Sequence, residues 1–217
     1  MAEMRTEEEQ VEAIKNWWKR NGTSLLIGIA AALAIAFGWQ AWQTQQAQAQ
    51  SEAAARYNNL LSAVESGGPD SFETVSYIAK SLQEDFDGSA YSIYGTLILA
   101  QQQMTEKNEA ANAVESLKWA HDKVEQDGPV EPIVRHRLAQ AQFAAGDNAE
   151  ALATLRGATD ADQFAALFAE LEGDILLAEG DRAGARQAYE VASDAMEGQN
   201  SGLLRLKIAD LASVEEG

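Results

Sequence analysis

The chain has 217 residues, with 16 Lys and Arg against 34 Asp and Glu, a formal net charge of −18 and a pI near 4.4, so its field repels nucleic acid and anionic lipid headgroups. It has no cysteine, which excludes disulfides, thiolate metal sites and thiol nucleophiles together. Only 3 prolines in a chain that is 46% hydrophobic and rich in Ala predict an almost entirely α-helical protein, with room for one anchor and one domain.

Residues 1–24 open with the polar stretch MAEMRTEEEQ and continue as VEAIKNWWKRNG. Val11, Ile14, Trp17 and Trp18 recur at helical spacing with Glu12, Lys15 and Lys19 between them, which predicts a short amphipathic segment at the cytoplasmic membrane surface, broken at Asn21-Gly22. The run Leu25–Trp42, LLIGIAAALAIAFGWQAW, follows, and no charged residue occurs between Arg20 and Glu52. Leu25, Leu26, Ile27, Ile29, Leu33, Ile35 and Phe37 each favour insertion by about 0.3–0.6 kcal/mol, together about 2–4 kcal/mol. From Trp18 to Trp39 is about 31 Å of helix, near the thickness of the hydrocarbon layer. Trp17, Trp18, Lys19 and Arg20 at one end, and Trp39 and Trp42 at the other, are the expected membrane-interface residues.

A buried core helix and a cleaved signal peptide are the rival readings of this run. Ala47-Gln48-Ala49 has the small-x-small form a signal peptidase needs, but the leader would carry five acidic residues and two Trp ahead of its apolar part. The composition favours an uncleaved transmembrane helix over 25–42. Lys15, Lys19 and Arg20 crowd its N-terminal flank and no basic residue follows until Arg56, which places the N-terminus in the cytoplasm. Everything after Trp42 then lies on the far side, in the periplasm if the membrane is a bacterial inner membrane.

Residues 43–65, QTQQAQAQSEAAARYNNLLSAVE, are predicted to continue outward as a helical stem and first domain helix, with Tyr57, Leu60, Leu61 and Val64 as its apolar face. Residues 66–217 form the expected domain, starting at the loop Gly67-Gly68-Pro69-Asp70-Ser71. Phe72, Val75, Ala79 and Leu82 make a helical stripe, Ser89 is a candidate N-cap, and helices are predicted over Tyr91–Met104 and Glu109–Val124. Pro132 marks another helix start. Further turns fall at Lys107-Asn108, Gly146-Asp147, Thr159-Asp160, Gly180-Asp181 and Gly198, and the chain closes with an amphipathic helix carrying Leu203, Leu204, Leu206, Ile208 and Leu211.

Residues 132–159 and 166–193 superpose at an offset of 34: Ala139 on Gly173, Gly146 on Gly180, Ala151 on Ala185, Leu155 on Tyr189 and Ala158 on Ala192. A 34-residue helix–turn–helix period is the tetratricopeptide (TPR) signature. The small residue at 139/173 and the Ala at 151/185 let two helices cross closely, Gly146/Gly180 ends the first helix, and Leu155/Tyr189 fills the space beside it. Asn108, Ala113, Leu117 and Ala120 suggest a third unit upstream, four residues further off, with the Gly128–Glu131 loop taking up the excess. Residues 52–86 match the pattern poorly, and the last helix serves as a solvating cap. The fold class is therefore all-α, a single transmembrane helix followed by a TPR-like solenoid. Its concave face would present His136, Gln140 and Phe143 from one repeat and Glu170, Asp174 and Leu177 from the next as candidate binding residues, or as packing between repeats.

The chain's 2 histidines fall on different predicted helices and give no zinc spacing. No GxSxG, P-loop or GxGxxG occurs, and no carboxylate is paired with a recognisable base or nucleophile. The sequence predicts a protein that binds rather than catalyses, with no catalytic, metal or cofactor site.

With these residues in view, the chain resembles the YfgM-type family, the ancillary subunit of the SecYEG translocon. The resemblance rests on Gln10-Val11-Glu12-Ala13-Ile14-Lys15, Trp17-Trp18, Asn21-Gly22, Gly38-Trp39, Gly68-Pro69-Asp70-Ser71 and Leu138-Ala139. It extends through Gly180-Asp181, Gly184-Ala185-Arg186 and Leu206-Lys207-Ile208 before Leu211. It implies a single-pass inner-membrane protein whose periplasmic TPR-like domain sits beside the translocon and helps hand translocating polypeptides to periplasmic chaperones. The implied partners are the SecYEG translocon and a membrane-anchored prolyl-isomerase-like chaperone, with a regulatory cytoplasmic segment. The stem Gln43–Gln50 departs from the family pattern. The repeats by themselves also suit a TPR adaptor in a cell-division or envelope-assembly complex.

Overall fold

A computed structural model describes residues 7–106, 108–126, 128–157, 162–196 and 202–215, and no strand occurs among them. The helices are α1 (Glu7–Ser66), α2 (Ser71–Asp85), α3 (Ala90–Thr105), α4 (Ala110–Lys123), α5 (Glu131–Ala145), α6 (Asn148–Arg156), α7 (Ala165–Ala178), α8 (Arg182–Ala195) and α9 (Gly202–Glu215), with a short 3-10 turn at Asp162–Phe164. They fall into two compact units, Met1–Glu52 and Ala53–Gly217. The expected turns at Thr159-Asp160 and Gly198, the packing position Ala158 and the first six residues lie outside the described residues.

The first unit is the long N-terminal part of α1, which is long and apolar enough to cross a membrane. Its large apolar residues from Leu25 to Phe37 are 42–74% exposed, unlike those of a soluble core. The expected break at Asn21-Gly22 does not occur, because α1 runs through both residues without interruption. The physical reason is local: the Trp18 indole lies over Gly22, where an added Cβ would stand 3.2 Å from the ring. At the edge of a membrane an unbroken helix also keeps every backbone N–H and C=O paired.

The second unit consists of helix–turn–helix hairpins. Each hairpin turn contains a residue with positive φ: Gly67 (56°) between α1 and α2, Asn108 (54°) between α3 and α4, Gly146 (90°) between α5 and α6, and Gly180 (87°) between α7 and α8. At Gly146 and Gly180 the closure is the same Schellman pattern. Asp147 N–H donates to Gln142 O and Gly146 N–H to Phe143 O, while Asp181 N–H donates to Leu176 O and Gly180 N–H to Leu177 O. At the third turn Asn108 replaces Gly and the closing bond, Glu109 N–H to Gln103 O, spans one residue more. Asn tolerates this backbone region because its short side chain bonds locally. Within residues 52–86, which match the repeat poorly in sequence, two helical segments nonetheless pack together, Ala53 and Leu60 against Val75, Ala79 and Leu82.

Caps and starts follow local chemistry. The Ser89 hydroxyl accepts from Tyr91 N–H, Asp181 accepts from Gly184 N–H, and Pro132 sits in the first turn of α5. Successive helices pack side by side from α2 to α9, and the first helices of neighbouring hairpins also touch, α3 with α5 and α5 with α7. The core is a chain of small clusters. Ala53, Leu60, Val75, Ala79, Leu82 and Leu99 form the first. Val114, Leu117, Leu138 and Ala141 form the next, then Ala139, Leu152, Leu155, Phe168 and Ile175, and finally Ala169, Tyr189, Leu204 and Leu211.

Candidate functional site

Among the expected membrane-interface residues, Trp17, Trp18, Trp39 and Trp42 are all exposed by half or more. The Trp39 and Trp42 rings meet at 5.0 Å, tilted by 38°, and Arg20 donates back to Asn16 O within α1. Aromatic rings left in the open at both ends of an apolar stretch suit the headgroup region.

The positions of the repeat are closely packed. Ala139, Ala151, Leu155, Ala185, Tyr189 and Ala192 are buried. Gly173 is required by Tyr189, because a Cβ there would overlap the phenol ring. The Tyr189 hydroxyl donates to Asp174 at 2.7 Å. Burial and that bond to a carboxylate push the phenol well above its usual range.

One recurrent pairing is not visible in the offset alignment. Gln103 on α3 accepts from the Ser116 hydroxyl on α4 (3.1 Å), and Gln142 on α5 accepts from the Thr154 hydroxyl on α6 (2.8 Å). Counted from the residue after each left-handed turn, Glu109 and Asp147, both hydroxyls stand seven positions on. Both glutamines are buried, so each bond satisfies an amide oxygen that would otherwise be stranded. In the last hairpin the equivalent pair is apolar, Leu176 and Ala188, which hides the relation from a search by residue type.

The six candidate ligand-face residues do not form one open surface. His136 stacks on Phe168 at 5.9 Å, and Phe143 packs against the cluster around Leu155 and Phe168. Burial, aided by the Arg137 charge, lowers the His136 pKa, so its imidazole favours the neutral form. Glu170 and Asp174 hold the Lys207 ammonium of α9 at 2.9 and 2.7 Å, and Leu177 packs beneath the same helix. Lys207 also lies over the Tyr189 ring, 5.1 Å from its centre. Burial would lower its pKa, but the two carboxylates outweigh this and raise it. The cap helix thus fills the α7 part of the expected face.

Gln140 is different. It lines a groove of about 150 Å3 with Leu97, Ala100, Gln101, Met104 and Thr105 of α3, Leu117 of α4, and Arg137 of α5. Arg137 donates to Gln140 Oε1 at 2.9 Å. The sequence holds no signal for this groove, since it arises where the first helices of two hairpins meet.

An apolar N-terminal helix of membrane-spanning length followed by stacked helix–turn–helix units defines a helical-repeat protein of the TPR-like class. The tetratricopeptide repeat-like domain family matches residues 15–213. The chain is 31% identical over 208 residues to the ancillary SecYEG translocon subunit of Escherichia coli (strain K12), with 95% of this chain and 97% of that protein aligned. It is 30% identical over 205 residues to the ancillary SecYEG translocon subunit of Haemophilus influenzae, covering 94% and 97%. A protein of the same description from Neisseria gonorrhoeae is 26% identical over 214 residues, covering 97% and 100%. The chain belongs to this family of ancillary SecYEG translocon subunits.

Proposed function

We propose that α1 anchors the chain in the bacterial inner membrane beside the SecYEG translocon, with residues 1–24 in the cytoplasm and the repeat domain in the periplasm. The domain binds translocating polypeptides and passes them to periplasmic chaperones, a membrane-anchored prolyl-isomerase-like chaperone among them. The observation that carries this reading is the full-length match to ancillary translocon subunits, apolar helix and repeats together. Anchoring beside the exit raises the local concentration of emerging chain, so weak contacts suffice. In this reading the cytoplasmic segment senses or regulates that association, and the exposure of Trp17 and Trp18 supports such a contact.

Photocrosslinking in membranes, with probes at Trp17 and Gln101, tests it. Translocon subunits are expected at the first site, and a nascent chain or chaperone at the second. Clean insertion with no crosslink at either site refutes the reading. Orientation is read separately. The chain has no cysteine, so Glu9→Cys and Glu52→Cys each give a single thiol for an impermeant reagent. Labelling at position 52 alone is expected in intact spheroplasts, and labelling at position 9 alone overturns the assignment.

A further inference from the structure

The groove between α3 and α5 has a guanidinium at its edge. Leu97 and Met104 form its walls, half-buried, and Ala100 and Leu117 form its floor, buried. Its volume is well below the roughly 300 Å3 at which small-molecule pockets begin, so it has room for a side chain rather than a cofactor. Methionine in such a wall adapts to side chains of different shape.

Arg137 stands at the edge of this groove. Arg56, Arg135, Arg156 and Arg186 each hold a carboxylate, of Asp85, Glu131, Glu172 and Glu190 respectively. Arg137 holds none among the described residues and donates only to the neutral Gln140 amide. Arg137 is the arginine that lines this apolar groove, and its guanidinium stands there without a carboxylate. Its charge reaches His136, whose pKa it helps to lower. A planar guanidinium with free N–H groups matches a carboxylate in two-point geometry.

We propose that this groove binds an unfolded polypeptide segment in which an apolar side chain enters between Leu97 and Met104 while a neighbouring carboxylate, from Asp, Glu or the chain end, pairs with Arg137. The proposal deepens the polypeptide-binding role stated above and rests on it for the source of the segment. The acidic field of the domain limits the rest of the ligand. Beyond that one carboxylate the segment is neutral or basic, since further acids meet repulsion.

The test uses the full chain in detergent micelles or nanodiscs and fluorescence anisotropy with labelled peptides. The probes are a neutral, Leu-containing peptide carrying a single Glu, with an amidated C-terminus, and the same peptide with Gln in place of Glu. The Glu peptide is expected to bind about tenfold tighter, the size of one charge-assisted hydrogen-bonded contact at a partly exposed site. Arg137→Gln is expected to abolish the difference, and Arg137→Glu to transfer the preference to a Lys peptide. Met104→Lys is expected to weaken the Glu and Gln peptides alike. Far-UV circular dichroism checks that each variant keeps its helices. Equal binding of the two peptides, no binding of either, or a Glu preference that persists in Arg137→Gln overturns the proposal. So does an Arg137-dependent dimer seen by light scattering, which would make a second copy of this chain the occupant. The broader role fails independently. Crosslinks from Gln101 to translocating chains without Glu/Gln discrimination would preserve that role and sink this inference. The discrimination without the crosslinks would do the reverse.

Discussion

Gly173→Ala sets two known effects against each other at one atom. Alanine in place of glycine inside α7 stabilises a helix by about 1 kcal/mol. The new Cβ, however, would overlap the Tyr189 ring. That ring has little freedom to move: it is fully buried, its hydroxyl is held by Asp174, and Leu204 and Leu211 of α9 share its cluster. Overpacking in a fixed core costs about 1–3 kcal/mol, and a pinned ring puts the cost toward the upper end. The net expectation is a loss of about 1–2 kcal/mol, or roughly 4 °C in Tm for a domain of this size. Thermal unfolding of the full chain in detergent, followed by far-UV circular dichroism, gives the number. Hydrogen exchange localises it, with α7, α8 and α9 losing protection first. In a Tyr189→Leu background the overlap is gone and Gly173→Ala is expected to become stabilising by about 0.5–1 kcal/mol. A Tm that rises on Gly173→Ala in the otherwise unaltered chain refutes the argument that Tyr189 dictates this glycine.

Lys207 and Tyr189 both hold their protons more tightly in the folded chain than in the unfolded one. The stability they supply is therefore fully present below the ordinary Tyr and Lys range, about pH 10, and is lost as pH rises through the folded values. Limited proteolysis of α9 is expected to accelerate in that alkaline window, and Lys207→Met is expected to make α9 labile at neutral pH as well. His136 runs the other way: its lowered pKa supplies stability above about pH 6.5 that is lost as pH falls toward the folded value. Its NMR titration midpoint is expected below 6.5, and to move upward in Arg137→Gln. Gly146→Ala places a Cβ in the left-handed region and is expected to cost about 1–2 kcal/mol, read as a drop in Tm.

The fold was legible where a local rule and the repeat acted together. Gly146 and Gly180 announce turns by residue type, Ser89 and Pro132 announce helix starts, and the uncharged run from Leu25 to Trp42 announces a membrane-length helix. Asn21-Gly22 is a turn dipeptide by type, but its surroundings keep it helical. With Trp18 stacked over Gly22, helix on both sides carries through. The hairpin of residues 52–86 was obscured for the opposite reason. Its close approach is made by Gly95 of the following hairpin, where a Cβ would stand 3.1 Å from Leu82 and 3.4 Å from Leu60. No offset of 34 reveals that relation. The buried pairs Gln103–Ser116 and Gln142–Thr154 were hidden because glutamine in a helix ordinarily reads as surface.

The α7 part of the expected ligand face is covered by α9 for a reason that any solenoid imposes. Stacked hairpins bury a continuous core, and the last one must have its apolar side covered. Here α9 does so with Leu204 and Leu211, and Lys207 ties it to Glu170 and Asp174 on α7. Residues that in a longer array would face a ligand are thus recruited to close the end of this one. Closure sets one ammonium against two carboxylates there. One hairpin away, Arg137 keeps a charge that no carboxylate among the described residues answers. The proposed binding of a segment that seeks a cation beside an apolar groove therefore falls on α3 and α5 rather than on α7.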